Sequence, residues 1–223
     1  MLTFVLPTGR TLDEAVELLK VAGFPVRRLE ERGRDLVIEE EGFRYLLAKP
    51  ADVPTLVFRG AAELALVGSD VLWESGADLM ELLDTGRGRC RIVVAGPRET
   101  AARFSAEEAA RMGIRVATKY PRIATSAFEE RGISAEIVKL SGSIELAPRL
   151  GLADCILDIV QTGSTLEANG LVPFEEIAPV SLRLAASRTA FRTRGERVEA
   201  ALSALSRACR TGGGSAEESE VPS

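Results

Sequence analysis

The sequence predicts a two-lobed α/β protein with mixed, mostly parallel sheets and helices on both faces, and three observations predict it. Short, almost wholly apolar runs alternate with amphipathic stretches, the pattern of strands joined through helices. Several of those runs end at once in glycine- and hydroxyl-bearing turns, such as Gly68-Ser69-Asp70 and Thr162-Gly163-Ser164-Thr165. A composition shift at Asp84-Thr85-Gly86-Arg87-Gly88-Arg89 separates two such series and marks a hinge.

Thr3–Leu6 reads as a first buried strand ending in Pro7-Thr8-Gly9-Arg10. Thr11-Leu12-Asp13-Glu14 has the form of a capping box, and Ala15, Val16, Leu18, Leu19 and Ala22 recur at helical spacing until Gly23 stops the run. Arg10 therefore falls at a strand-to-helix turn, where a guanidinium can grip a phosphate with two parallel hydrogen bonds. Residues 26–47 alternate charged and apolar segments, as a hairpin or pair of edge strands would. Lys49 precedes Asp52-Val53-Pro54, a helix start. A helix over 56–60 and a strand over 63–67 follow, and the strand ends at the turn Gly68-Ser69-Asp70.

Beyond the hinge, strands are expected at Arg91–Ala95, Arg115–Thr118 and Ala135–Leu140, with helices at Ser105–Met112 and Ala124–Arg131. The turns Gly96-Pro97, Lys119-Tyr120-Pro121, Ser141-Gly142-Ser143 and the one beginning at Thr162 are expected along one carboxyl edge, where open α/β sheets bind ligands. Lys119 and Arg122 are placed there to meet a polyphosphate, while Tyr120 serves equally well as core. Val180–Leu184 reads as a strand returning to the first lobe, followed by a helix over 194–207. Two crossings thus give lobe I from residues 1–86 and 172–208 and lobe II from 87–171, an arrangement like that of a periplasmic binding protein. Residues 209–223 have the composition of a disordered tail.

The stretch from Glu145 to Thr165 carries the chemistry. Cys155–Val160 is a buried strand by its apolar content, and it breaks into Thr162-Gly163-Ser164-Thr165 just where a short helix begins. Gly163 can take the positive φ that points consecutive amides at one spot, and the hydroxyls of Thr162, Ser164 and Thr165 add donors. Such a turn seats an anion, although the same tetrapeptide is also ordinary turn composition. Asp158, upstream on the strand, offers a carboxylate to sugar hydroxyls. Glu145, between Ile144 and Leu146, either points into the same cleft or lies on a solvated helix face. Phosphate plus diol means a phosphorylated ribose, and lobe II is the lobe that carries its loop.

Composition narrows the classes. The 223 residues are 46% hydrophobic, ample for a packed core, and 28 basic against 33 acidic residues ask for neither nucleic acid nor an anionic membrane. Cys90, Cys155 and Cys209 form no Cys-x-x-Cys pair, so neither a disulfide framework nor a zinc site is indicated, and a reducing cytoplasm fits. No basic leader precedes Leu2–Leu6, and no apolar run approaches the ~20 residues that span a bilayer. The chain has no histidine, which removes Ser-His-Asp and Cys-His catalysis and leaves carboxylates, Lys, Arg, Tyr and backbone donors.

The pattern Glu-x5-Gly-x-Ala-x2-Ile-x-Asp-Ile-x2-Thr-Gly-x-Thr-Leu, filled by Glu145, Gly151, Ala153, Ile156, Asp158, Ile159, Thr162, Gly163, Thr165 and Leu166, resembles the signature of the ATP phosphoribosyltransferases. Leu6–Arg10, Asp52–Pro54, Leu66–Asp70, Ala117–Pro121 and Asn169–Leu171 resemble family segments in the same order, so the likeness covers residues 1–206. It implies the first reaction of histidine biosynthesis, in which adenine N1 of ATP displaces pyrophosphate from phosphoribosyl pyrophosphate, with magnesium carried on substrate oxygens, met by one or two carboxylates at most, and no dedicated metal site. The adenine nitrogen needs no general base.

By this resemblance Asp158, Glu145 and Arg10 are catalytic, and Thr162, Gly163, Ser164, Thr165, Lys49, Lys119 and Asp70 bind substrate. Lys49 stands where the family commonly has arginine, which keeps the charge and loses the fork. The resemblance is to the short form. It implies a hetero-oligomer with a regulatory subunit resembling histidyl-tRNA synthetase, around a homodimer core, because no part of the chain is left over for a histidine-sensing domain.

Two rivals stand beside this reading. A solute receptor shares the architecture without chemistry, and a purine or pyrimidine salvage phosphoribosyltransferase usually carries two adjacent acidic residues before its phosphate turn. Here Leu157 precedes Asp158.

Overall fold

The computed structural model describes residues 1–104 and 113–212. The chain divides into two compact units, one of Met1–Gly88 with the chain from Ser181 onward, the other of Arg89–Val180.

The first unit is built on β1 (Leu2–Pro7), which is buried along its whole length. A strand covered on both faces must be apolar on both. Accordingly Phe4 and Leu6 enter one core with Leu18, Leu19, Tyr45 and Leu205, while Val5 enters the other with Val53, Val57 and Val67. Its sheet runs β2-β3-β1-β4-β11-β5, with β2 (Val37–Glu40), β3 (Phe43–Ala48), β4 (Leu64–Gly68), β5 (Leu79–Asp84) and β11 (Leu182–Ser187). Glu41 and Gly42, with φ of 47° and 85°, close the β2–β3 hairpin in the doubly left-handed conformation that two-residue turns favour. β1 is parallel to β3 and β4, and β11 lies antiparallel between β4 and β5.

Helices α1 (Leu12–Val21), α2 (Arg27–Glu30), α3 (Val53–Phe58) and α4 (Ser69–Ser75) complete this unit with α9 (Arg188–Gly212). The periodicity of α1 is realised, with Leu12, Ala15, Val16, Leu18 and Leu19 buried and Gly23 beyond its end at φ 84°. The expected capping box is not formed: Thr11 makes no side-chain cap bond, and the Leu12 amide donates to the Gly9 carbonyl at 3.1 Å. In α9 the backbone leaves helical geometry at Arg194, φ −136°, and Val198, Ala201, Leu205 and Ala208 beyond the kink pack into the core.

The second unit has sheet order β10-β6-β9-β7-β8, from β6 (Cys90–Gly96), β7 (Ile114–Thr118), β8 (Ala135–Lys139), β9 (Cys155–Val160) and β10 (Val172–Val180). Its described helices are α5 (Arg98–Arg103), α6 (Pro121–Glu129), α7 (Leu146–Arg149) and α8 (Ser164–Ala168).

Several expectations change. Residues 172–180 belong to the second unit, because β10 pairs antiparallel with β6 from Val172–Gly96 to Val180–Cys90, so the crossings fall at 88/89 and 180/181. Both sheets are mixed, but among the described residues parallel pairing is confined to β1 with β3 and β4 and to β7 with β8 and β9. Since β6 is antiparallel to β9, the turn Gly96-Pro97 lies at the opposite edge from the turn after Val160. The helix expected at 105–112 lies outside the described residues, as does all of the expected tail except residues 209–212, which extend α9. No described helix is long and apolar enough to cross a membrane.

Candidate active site

The parallel run β8-β7-β9 brings three carboxyl-end turns to one edge of the second sheet. From β8 the chain passes through Ser143, a non-glycine residue at φ 50°, and buries Ile144. Glu145 then stands at the N-cap of α7. A residue held at positive φ beside a candidate carboxylate is the kind of local strain that functional sites retain.

Asp158 lies on β9, its side chain only 16% exposed, and its Oδ1 is 3.2 Å from Nζ of Lys119. The same oxygen accepts the Ile159 amide at 2.8 Å. Burial raises the Asp158 carboxyl above the ordinary range; the Lys119 ammonium and the Ile159 amide pull it back, and the charge of Glu145 adds to the rise. Lys119 also lies over the Tyr120 ring, 5.2 Å from its centroid, while Tyr120 itself is buried.

Beyond β9 the chain turns through Gly163, φ 87°, into α8. A Cβ there would meet only Cγ1 of Val160 at 3.9 Å, so the demand for glycine is conformational rather than steric. Thr162 Oγ1 and Ser164 Oγ are 3.1 Å apart. Together these pieces enclose a cavity of about 250 Å³ lined by Glu145, Asp158, the run from Ile159 to Gly163, Thr165 and Leu166. Drug-sized ligands occupy roughly 300–1,000 Å³, so this space suits a phosphorylated pentose and is small for a nucleoside triphosphate. Ser164 is not one of its walls; its hydroxyl pairs with that of Thr162. Ile159 and Leu166 entered the sequence reading as pattern positions, and Val160 and Gln161 carried no site role there; their place on the acidic strand and around its turn is the signal that makes all four walls.

The remaining residues fall in the first unit. Arg10, Lys49 and Asp70 follow the carboxyl ends of β1, β3 and β4, three parallel neighbours, so they share one sheet edge. Arg10 and Lys49 are exposed. Asp70 is buried and bends back over Gly68, its Oδ1 only 2.2 Å from where a Cβ would stand, so a larger residue at 68 would have to displace the Asp70 carboxylate. Among the described residues no group of three His, Cys, Asp or Glu side chains could hold a metal ion.

A two-unit α/β fold whose second unit offers an acidic strand, a lysine and a hydroxyl-lined, left-handed turn defines a protein shaped to take a phosphorylated sugar. The model of one family, ATP phosphoribosyltransferase, matches residues 49–207, and the chain belongs to that family. Its activity is the family's, a glycosyl transfer joining ATP to phosphoribosyl pyrophosphate in the first step of histidine biosynthesis.

An ATP phosphoribosyltransferase of Moorella thermoacetica is 48% identical over 217 residues, 96% of this chain and 95% of its own. A chain of the HisG:HisZ complex of ATP phosphoribosyl transferase from Thermotoga maritima superposes with a TM-score of 0.77 at 29% identity, covering 95% of this chain and all of that one. An ancestral amino-acid-binding protein, a precursor of cyclohexadienyl dehydratase, shares the fold at a TM-score of 0.62 and 13% identity over 95% of this chain and 90% of its own.

Proposed function

We propose that the transfer runs on a division of labour between the two sets of residues. Thr162, Gly163 and Thr165 hold the 5-phosphate of phosphoribosyl pyrophosphate, Ser164 acts there through its bond to Thr162, and Asp158 with Glu145 binds the ribose hydroxyls. The observation that carries this reading is the cavity that places a desolvated carboxylate beside the left-handed hydroxyl turn. As the bond to pyrophosphate breaks, positive charge grows on the ribose ring, and an ionised carboxylate in a poorly solvated pocket stabilises that charge far more than one in water. Lys119 offsets the charge of Asp158 in the free protein and receives the departing pyrophosphate. Arg10 and Lys49 meet phosphate oxygens, and Asp70 shapes the turn at Gly68 for substrate.

Magnesium arrives on the substrate oxygens, with at most one or two carboxylates of the chain near it. The enzyme works in the cytoplasm, around a homodimer core, with a separate regulatory subunit that supplies histidine inhibition. The full-length match to a chain solved within a HisG:HisZ complex supports that partner.

The test is an incubation of the full chain with phosphoribosyl pyrophosphate, magnesium and either ATP or free purine and pyrimidine bases. Product with ATP and none with bases is expected, whereas transfer to a free base would move the chain to salvage chemistry. Titrating histidine into the chain alone is expected to leave its rate unchanged; strong inhibition there would place the sensor in this chain.

A further inference from the structure

The β7–β9 ladder is parallel and closes at one pair, Thr118 opposite Leu157. The next residue along each strand is charged, Lys119 after β7 and Asp158 within β9, and their side chains meet at 3.2 Å. Thr118 is fully buried. Its hydroxyl donates to the Leu157 carbonyl at 2.7 Å and accepts from the Tyr120 amide at 2.9 Å. One oxygen therefore ties the residue before Asp158 to the residue after Lys119.

Packing alone does not ask for that oxygen. Val116 and Ala117 are buried as deeply on the same strand, and a valine would fill the volume of Thr118 without the desolvation cost of a hydroxyl. What the two bonds hold is the distance between the lysine turn and the acidic strand.

We propose that Thr118 is a positioning residue for the transfer: its hydroxyl fixes the Lys119 turn against β9, so that ammonium and carboxylate keep one separation beside the sugar–phosphate pocket. The proposal rests on the roles assigned above to Asp158 and Lys119. With the turn held, the ammonium keeps Asp158 ionised before substrate arrives. With the turn loose, Asp158 is left in a desolvating pocket without its counter-charge.

The experiment uses the full chain with magnesium and phosphoribosyl pyrophosphate, read by steady-state rates with ATP across pH and by calorimetry without ATP. Thr118→Val is expected to lower kcat/KM for phosphoribosyl pyrophosphate about tenfold and to move the acidic limb of the profile to higher pH. Thr118→Ser, which keeps the hydroxyl, should retain the wild-type limb. In a Lys119→Met background the valine should change the rate by less than about twofold, because the two substitutions act through one group.

A valine variant that melts lower but keeps the wild-type kcat/KM and pH limb overturns the proposal, and so does full additivity with Lys119→Met. Asp158→Asn is run alongside: wild-type turnover in that variant would sink the reading of the site itself, so the two failures are told apart. Should the valine variant not fold, Thr118→Cys, similar in size and weak in hydrogen bonding, goes through the same cycle and the same outcomes decide.

Discussion

The carboxyl edges of the two sheets present the same kind of turn and build it to different tolerances. In the second unit the side chains converge, with Asp158 16% exposed against Lys119 and a walled space of about 250 Å³ beside them. In the first unit Arg10, Lys49 and Asp70 are spread along neighbouring strands, roughly 4.8 Å apart per strand, and the two cations are open to solvent. Under the roles proposed above, the difference separates two tasks. A reacting carbon needs one charge at one place, and burial multiplies what that charge is worth. A polyphosphate has many oxygens, and an exposed cation can serve it without fixed geometry.

The largest effect is therefore expected at Asp158. Asp158→Asn should cut turnover about 100-fold or more, since an amide neither opposes the growing ribose charge nor accepts from two hydroxyls. The same change should not lower the melting temperature at neutral pH. Burial raises the Asp158 pKa in the fold, so the folded chain binds that proton more readily than the unfolded one. Its contribution to stability then falls as pH rises from the ordinary carboxylate value of about 3.9 through the raised folded value, and the deficit persists at neutral pH. A neutral amide removes it. Near-normal turnover in a folded Asp158→Asn protein, measured beside its thermal melt, would erase the contrast between the units.

Gly163→Val comes next. Left-handed backbone costs an ordinary residue about 1–2 kcal/mol and a β-branched one more, so the turn should open and calorimetric affinity for phosphoribosyl pyrophosphate should fall at least about tenfold. Unchanged affinity would reduce the turn to a structural role.

The smallest effect is expected in the first unit. Arg10→Gln should raise KM about three- to tenfold with kcat little changed, and the loss should shrink as salt rises and screens the exposed cation. A salt-independent loss in kcat would show that Arg10 acts at the reacting atoms, and would sharpen the comparison in the opposite direction.

What was legible in the sequence follows the same division. β9 and its turn could be read because one carboxylate interrupts a buried apolar run and a glycine follows where the chain must turn left-handed. Strand direction could not be read, since period-2 burial looks the same in parallel and antiparallel ladders; hence the misplaced Gly96-Pro97 turn. β10 was missed because Pro173 and Pro179, with Glu175 and Glu176, argue against a strand. It is an edge strand with irregular register between Pro173 and Glu175 and between Glu176 and Ala178, where prolines and charges are tolerated. Residues 11–14 carried a capping pattern that the fold does not use, since Thr11 makes no side-chain cap bond.

The position of β11 has a consequence for biosynthesis. Thr85 donates its hydroxyl to the Leu182 carbonyl 97 residues downstream, and β11 fills the slot between β4 and β5. A ribosome adding roughly 5–20 residues per second leaves that slot open for about 5–20 s. During that interval the apolar edge of β4 is exposed to other nascent chains and to chaperones, while residues 89–180 emerge as one contiguous stretch able to complete their own sheet. The unit whose strands are made first is the one finished last.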